Sequence, residues 1–600
     1  MFQSFDTQGD REAGPERLIA LRGAMADAGL DAFLIPRADA HQGEYVAPRD
    51  ARLQWLTGFT GSAGFAAVTA DHAALFVDGR YTVQGRDQVA EVFDVLRHPT
   101  TKLGDWLADH LPQGAQVGFD PWLHTRAEID ALRERLGPEI GVVPVTPNPL
   151  DTIWSNQPAP PQGLARAFPT NIAGATRSEK IALVCDTLEA DGHAVAVLSL
   201  PDSLCWLLNI RGSDIPRNPV VHAFATVEAA TQEVRLFCDS AKLRDLDLGL
   251  PVFAPDAIVQ SLAYLSGPVR LDRDSAPYLF GQALEDADVN IAWAADPCLL
   301  PKARKTDAEI DASRTAHLRD GAAMCAFLHW VHQAERRVLA GERITEIDVV
   351  VALEDFRGAD DALRDISFET IAGSGPHGAI VHYRVTQETD RALAPGELLL
   401  VDSGGQYDDG TTDITRTIAI GTPGAAEIAA FTRVLQGMIA VSRARWPKGL
   451  AGRDLDALAR APLWMAGQDY DHGTGHGVGV HLSVHEGPQR LSRSGEITLD
   501  PGMILSNEPG YYRAGAFGIR IENLVVVTPA PDLPDQDDRE MLSFETLTWA
   551  PIDRRLIDVD ALSPAERAWI DTYHAGVAQR MAGRLSPDVA AWLGEVTRPL

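Results

Sequence analysis

Glu397-Leu398-Leu399-Leu400-Val401-Asp402-Ser403-Gly404-Gly405-Gln406-Tyr407-Asp408-Asp409-Gly410-Thr411-Thr412-Asp413-Ile414-Thr415-Arg416-Thr417 reads as two strands around a turn. The first strand is an apolar run that ends on an acid, Asp402. The second carries another acid, Asp413. Between them Asp408-Asp409-Gly410 is a turn signal. Setting Asp402 opposite Asp413 centres the fold-back on Tyr407 and Asp408. Directly opposed side chains have Cβ atoms about 4.5–5.5 Å apart. Two carboxylates that close repel each other unless a cation or a proton lies between them.

A second segment has the same form. Glu508 lies in Ser506-Asn507-Glu508-Pro509-Gly510 and Glu522 in Ile519-Arg520-Ile521-Glu522-Asn523, with Gly515 midway as the expected turn. Three histidines are interleaved with these four acids. His476 stands in the glycine-dense run His472-Gly473-Thr474-Gly475-His476-Gly477-Val478-Gly479, where backbone can approach a neighbour closely. His485 follows in Val484-His485-Glu486-Gly487-Pro488, and His382 follows the apolar Ala379-Ile380-Val381.

Working outward, the 600 residues exceed one domain. At about 150 residues each the prior is about four domains, with two or three larger ones equally allowed. The hydrophobic share of 45% and charged share of 23% are those of a globular chain, which excludes disordered, collagenous and coiled-coil classes. With 53 basic and 84 acidic side chains the net charge is −31, so no nucleic-acid or anionic-membrane partner is expected. Five cysteines, none in a CxxC pair, argue against a disulfide framework or a zinc ribbon. No secretory signal and no membrane span is legible, so the expected compartment is the cytoplasm.

An internal repeat organises the first half. A helical pattern from Glu16 to Gly29 precedes the apolar run Ala32 to Ile35, and a second from Glu179 to Gly192 precedes Ala194 to Leu198. Each copy continues with Trp-Leu (Trp55-Leu56, Trp206-Leu207), Gly-Ser (Gly61-Ser62, Gly212-Ser213) and a strand closed by an acid (Asp78, Asp239). Two related α/β domains are expected, at 1–153 and 160–300, separated by a proline-rich stretch. Thr306-Asp307-Ala308-Glu309 is a capping-box pattern opening a long helix and a third block, 304–545, followed by a tail, 546–600. Helical patterns span 306–339, 346–357, 424–445 and 453–466. Strand-like runs cover Glu397 to Val401, Ile414 to Ile420 and Ile521 to Val527.

The ordered set Val401-Asp402-Ser403-Gly404, Thr412 to Thr417, Gly473 to Gly479, Asn507-Glu508-Pro509-Gly510 and Arg520-Ile521-Glu522-Asn523 resembles the dinuclear-metal "pita-bread" peptidases. Within that family the whole chain is most similar to the long, three-domain aminopeptidases that act before proline. The resemblance implies an α/β (α+β) chain: two creatinase-like N-terminal domains, a pita-bread catalytic domain and a C-terminal extension. It implies two divalent metal ions, manganese first, with zinc or cobalt allowed by the ligand types. Asp402 would bind one metal, Asp413 and Glu522 would bridge, and His476 and Glu508 would complete the second. Arg520 would orient the bridging carboxylate Glu522. The activity implied is release of an N-terminal residue preceding proline, by a water or hydroxide held between the two metals, with Glu508 as general base. His382 and His485 would be substrate-side histidines.

Arg80, in Asp78-Gly79-Arg80-Tyr81, would reach the substrate from the first domain. Tyr383, Tyr511, Tyr512 and Val480 are candidate pocket-lining residues. A homodimer is also implied. The rival readings are a prolidase that cuts dipeptides, a metal-free binding module and a creatine-type amidinohydrolase. The second N-terminal domain argues against the first, and the complete ligand set against the other two.

Overall fold

The structure, a computed structural model, describes residues 1–7 and 9–600. It divides into two compact units. One holds the chain after Thr7 up to Thr170, together with Ala175–Lys302. The other holds Ala303–Leu600 with Met1–Thr7 and Asn171–Gly174.

In the first unit the sequence repeat reappears as a repeat of topology. Strands β1 (Ala32–Pro36), β2 (Phe65–Thr69), β3 (Ala73–Val77), β4 (Asp94–Arg97), β5 (Gln116–Phe119) and β6 (Gly141–Pro144) form one sheet, in the order β4-β3-β2-β1-β5-β6. Strands β7 (Val195–Leu198), β8 (Phe224–Glu228), β9 (Val234–Phe237), β10 (Val252–Phe253), β11 (Val269–Leu271) and β12 (Ile291–Trp293) form a second, in the order β10-β9-β8-β7-β11-β12. Corresponding joints share the same sense: β1–β2 and β7–β8 are antiparallel, β1–β5 and β7–β11 parallel. Each sheet is preceded by a helix, α1 (Gly14–Asp27) and α2 (Arg177–Ala190). Leu18, Leu21 and Met25 of α1, and Ile181, Val184 and Leu188 of α2, recur at helical spacing and are buried. The chain leaves each helix through a glycine with positive φ, Gly29 at 68° and Gly192 at 73°.

The second unit opens as expected. Thr306 caps α3 (Asp307–Leu339): its hydroxyl accepts from Glu309 N at 3.2 Å, and Thr306 N donates to the Glu309 carboxylate at 2.9 Å. Helix α4 (Glu346–Gly358) follows. A three-stranded antiparallel sheet joins β13 (Ile371–Ser374), β14 (Glu397–Ser403) and β17 (Ile414–Ile420), while β15 (Gly405–Tyr407) and β16 (Gly410–Thr411) form the tip of the β14–β17 hairpin. Helices α5 (Ala425–Ser442) and α6 (Gly452–Trp464) come next. A six-stranded sheet holds β18 (Arg445–Pro447), β19 (Gly475–Gly477), β20 (Glu486–Leu491), β21 (Ile504–Asn507), β24 (Asn523–Pro529) and β25 (Met541–Thr546), in the order β18-β25-β24-β21-β19-β20. A separate hairpin, β22 (Gly510–Arg513) with β23 (Phe517–Arg520), interrupts the β21–β24 pair. Helix α7 (Pro564–Met581) lies in the tail. Among the described residues no helix is long and apolar enough to cross a membrane.

Two hydrophobic clusters clamp the strands that carry the acids. Met324, Phe327 and Val331 of α3 pack with Leu399, Val401 and Ile418. Val434, Leu435 and Met438 of α5 pack with Ile519, Ile521 and the tail residues Ile570 and Val577.

Two boundaries differ from expectation. The first seven residues belong to the second unit, because Phe5 joins the Met324–Phe327 cluster and Gln3 hydrogen-bonds Thr370 through both its amide oxygen and nitrogen. The strand expected over Ile521 to Val527 begins two residues later. Ile521 and Glu522 occupy the break between β23 and β24.

The tail carries an acid-sensitive joint. His574 is fully buried and its Nε2 accepts from Ile552 N at 3.1 Å. Burial, then the charges of Arg416 and Arg554, push its pKa down to about 3. Its folded pKa lies below the unfolded value of about 6.5, so this stability is fully present above pH 6.5 and is lost as pH falls from there toward 3. Unfolding free energies of the metal-free protein, from urea titrations between pH 7 and 4, should therefore fall more steeply for wild type than for His574→Gln, by up to about 1.4 kcal/mol per pH unit. Equal slopes would remove this joint from the acid response.

Candidate metal centre

The hairpin register differs from the expected one. Asp402 pairs with Thr415, Ser403 with Ile414 and Tyr407 with Gly410, so the turn is Asp408–Asp409. Tyr407 is a buried strand residue whose hydroxyl donates to Asp320 Oδ1 at 2.9 Å, which excludes it from the turn. Asp413 consequently stands two residues before the partner of Asp402. Asp413 lies one residue before β17 begins, and the two acids are diagonal neighbours rather than an opposed pair. The second register is the expected one. Gly510 pairs with Arg520 and Asn507 with Asn523, which sets Glu508 level with Glu522, and Gly515 at the turn has φ 71°.

The glycines bring these elements within reach. A Cβ on Gly475 would lie 1.9 Å from the carbonyl oxygen of Ser506, so β19, which carries His476, lies against β21 only because that position is bare. His476 Nδ1 donates to its neighbour's carbonyl, Gly477 O, at 2.9 Å. This leaves Nε2 aimed at the acids, 3.5 Å from both Asp413 Oδ2 and Glu508 Oε1.

The ligand atoms converge in overlapping triads. Asp402, Asp413 and Glu522 offer oxygens within 4.8 Å of one another; so do His476, Glu508 and Glu522, and so do Asp413, His476 and His485. Asp402 Oδ1, Asp413 Oδ1 and Glu522 Oε1 are buried and accept no hydrogen bond among the described residues. Two of the sister oxygens are held by donors: Arg520 Nη2 donates to Asp402 Oδ2 at 2.5 Å and the Thr415 hydroxyl donates to Glu522 Oε2 at 2.8 Å. Burial, reinforced by the neighbouring carboxylates, pushes Glu508 up to about 7 and Glu522 well above the usual carboxylate range. Burial and Asp413 also raise Asp402, against the pull of Arg520. Burial opposes a charge on His476, yet Asp413 and Glu508 raise it to about 9. Buried carboxylate oxygens without donors, facing one imidazole, suit hard or borderline divalent cations. The residues present fit two such ions sharing Glu522, with Asp413 in reach of both.

Arg520 acts differently from expectation. It bonds Asp402 rather than Glu522, and also donates to Tyr512 Oη at 2.6 Å, Thr415 Oγ1 at 3.2 Å and Val381 O at 3.3 Å. The last bond anchors the residue before His382. The loop holding His382 also lies against β23, where a Cβ on Gly518 would fall 1.6 Å from Gly378 O. The His485 ring stands edge-on to that of His476, with centroids 4.3 Å apart. Tyr383 is buried and donates to Glu346 Oε2 at 2.9 Å. Val480 is likewise buried in full, and Tyr511 is half-buried beside Phe517. Tyr512 does join the site, linking Arg520 to His472, whose Nε2 is 2.9 Å from Tyr512 Oη. His472 was not among the expected site residues. Its place at the head of the glycine run that delivers His476 was the available signal. Arg80, in the other unit, is held by Asp78 through Nε and Nη2 at 2.7–3.1 Å.

This fold and this cluster define a metallopeptidase, and the known proteins agree. The sequence model of Metallopeptidase family M24 matches residues 311–529, with Creatinase/Prolidase N-terminal domain models at 17–153 and 156–309 and the C-terminal region of peptidase M24 at 540–600. Aminopeptidase P2 of Arabidopsis thaliana is 38% identical over 98% of this chain and 88% of its own length. The probable Xaa-Pro aminopeptidase P of Laccaria bicolor is also 38% identical, over 98% and 93%. The crystal structure of X-prolyl aminopeptidase from Caenorhabditis elegans, described as a cytosolic enzyme with a di-nuclear active site, superposes with a TM-score of 0.92 at 32% identity, covering 98% of this chain and 100% of that one. The dipeptidase PepE of Mycobacterium ulcerans gives 0.50 at 26% identity; it is covered to 98% but spans 64% of this chain. The chain belongs to metallopeptidase family M24, and it matches the Xaa-Pro aminopeptidase P proteins over nearly its full length.

Metal should stabilise this unit by relieving the repulsion among the acids. At a free metal concentration 100 times Kd the gain is about 2.7 kcal/mol. Thermal scans with manganese and with a chelator should show the shift for wild type. Asp413→Asn, which removes one repelling charge, should melt at or above metal-free wild type and show little or no shift. A full wild-type shift in Asp413→Asn would remove Asp413 from the ligand set.

Proposed function

We propose that this chain is a metal-dependent Xaa-Pro aminopeptidase that hydrolyses the bond between an N-terminal residue and a following proline. The observation that carries the reading is the pair of ligand triads sharing Glu522, in a chain alignable from end to end with proteins of that activity. Two divalent ions, manganese by preference, are assigned to Asp402, Asp413 and Glu522, and to His476, Glu508 and Glu522, with Asp413 shared. When bound, such ions acidify water and polarise the scissile carbonyl.

The protein's own groups do the rest. Glu508 is the least buried of the four carboxylates, its side chain 17% exposed against 11% for Asp402 and 5% for Asp413. It therefore faces the reacting water and the substrate. Glu508 takes the proton of the attacking water and returns it to the proline nitrogen as the bond breaks. Ser506 Oγ, which donates to Glu508 Oε1 at 3.2 Å, keeps that carboxylate in position. His485 and His382 supply donors to the substrate carbonyl and to the residue after the cut. The nitrogen of an Xaa-Pro bond carries no hydrogen and its ring fixes φ, so a pocket can select it by shape. Arg80 is assigned to the peptide beyond the proline. The enzyme is proposed to work as a cytosolic homodimer.

The deciding experiment is N-terminal release from Arg-Pro-Pro and Arg-Ala-Ala after manganese loading, with a chelator control. Metal-dependent cleavage of the proline peptide alone is expected. Cleavage of both would discard the specificity, and cleavage of neither by the two-metal protein would discard the activity. His485→Ala should keep both metals by elemental analysis while kcat falls about 100- to 1000-fold. Loss of metal instead would make His485 a ligand, as its triad with Asp413 and His476 allows. Arg80→Ala should weaken longer peptides more than dipeptides; an unchanged length profile would confine Arg80 to its bond with Asp78.

A further inference from the structure

Arg416 belongs to the Thr412–Thr417 run, yet no step above uses it. It is 2% exposed, among the largest side chains buried this completely. Among the described residues no carboxylate lies within ion-pair distance of it. Its donors go to six neutral acceptors. Nη1 donates to the main-chain carbonyls of Glu522 at 2.6 Å and Thr415 at 2.9 Å. Nε donates to Pro551 O at 3.0 Å, and Nη2 to Ala550 O at 2.8 Å, Asn523 Oδ1 at 2.9 Å and Tyr573 Oη at 2.9 Å.

A buried guanidinium with no carboxylate partner is costly, and a fixed frame must hold it. Half of that frame is the metal centre: Thr415 and Glu522 are joined to each other by the Thr415 hydroxyl on Glu522 Oε2 and by Glu522 N on Thr415 O at 3.2 Å. The other half is the tail. Tyr573 passes a hydrogen bond to Ala550 O at 2.9 Å, and Asp553 accepts from Ala419 N at 3.1 Å, so the tail is laid along β17 from Arg416 to Ala419. Burial disfavours the Arg416 charge, and the fields of Tyr573 and then Glu522 favour it.

We propose that Arg416 is a positioning residue for Glu522 and Thr415, and that the C-terminal segment serves the metal centre by holding this guanidinium in place. The inference rests on the two-metal reading of the site. In physical terms, Arg416 fixes the backbone on which Glu522 hangs, so its loss should loosen the shared ligand before it unfolds the chain. Lysine cannot replace it, since a point charge with three donors cannot span six acceptors arranged in the plane of a fork.

The test is calorimetric titration of the metal-free full-length protein with manganese, alongside thermal melting. Tyr573→Phe should keep the fold and weaken binding about tenfold, and Arg416→Lys should weaken it by about 10- to 100-fold, the range for groups that orient ligands. Val577→Ala serves as control: the residue is fully buried in α7 and is not among the Arg416 partners, so it should lower the melting temperature yet bind manganese as wild type does. If Arg416→Lys does not fold, Tyr573→Phe decides. The proposal is overturned if the Arg416 and Tyr573 variants bind as wild type, or if all variants weaken in proportion to their melting temperatures. A wild type that binds no manganese would sink the two-metal reading itself, which is a distinct outcome.

Discussion

The mutual repulsion of four buried carboxylates is the constraint around which the catalytic unit is built. Asp402, Asp413, Glu508 and Glu522 would separate or hold protons if their strands were free to move. Three of them are fixed by groups other than the acids: Asp402 by Arg520, Glu522 by the Thr415 hydroxyl, Glu508 by Ser506 Oγ and by its own N–H on Thr474 O at 2.8 Å. The side-chain bonds use one oxygen each, and Asp402 Oδ1, Asp413 Oδ1 and Glu522 Oε1 have no donor among the described residues, which converts an unfavourable cluster into a cation site.

Rigidity of that kind cannot come from loops alone. The acids are borne by two antiparallel pairs, β14–β17 and the β21–β24 pair interrupted by β22–β23, and both pairs are pinned from behind by helices. The interruption matters. At Glu508 and Glu522 the ladder opens, so both side chains leave a register fixed on either side by Asn507–Asn523 and Gly510–Arg520. Facing residues of an antiparallel pair share a face, and here the break leaves the backbone of both acids outside the ladder.

Much of this was legible in sequence, and the misses have physical causes. Gly515 set the second register correctly because a symmetric turn leaves a single midpoint. The Asp408-Asp409-Gly410 signal left a choice of one residue, and the tie was broken by Tyr407, which the buried Asp320 holds in the strand. That partner lies on α3, far away in sequence, and local pattern does not reveal it. The same holds for Arg520. Spacing on a strand gives its face but not its reach, and its guanidinium crosses to Asp402 rather than turning back to Glu522. Tyr383, a candidate for the pocket lining, has its hydroxyl tied to the buried Glu346, a partner on α4 that local sequence does not reveal. His472 was hidden by its neighbour, since one glycine run delivers two imidazoles to different partners.

The site is graded from buried to open, and the gradient divides its labour. Asp413 is 5% exposed, Asp402 11%, Glu508 17% and His476 20%. The more enclosed acids, Glu522 and Asp413, are each shared between triads; their task is to hold charge where water cannot screen it. The most open acid is tied by one weak donor and can exchange a proton with a substrate nitrogen. Reversing that order would place a proton carrier where nothing could reach it and a charge holder where solvent would weaken it. The fold enforces the order through position, since Asp413 is buried between the tip strand β16 and the first residue of β17, while Glu508 lies at the break where the second ladder opens.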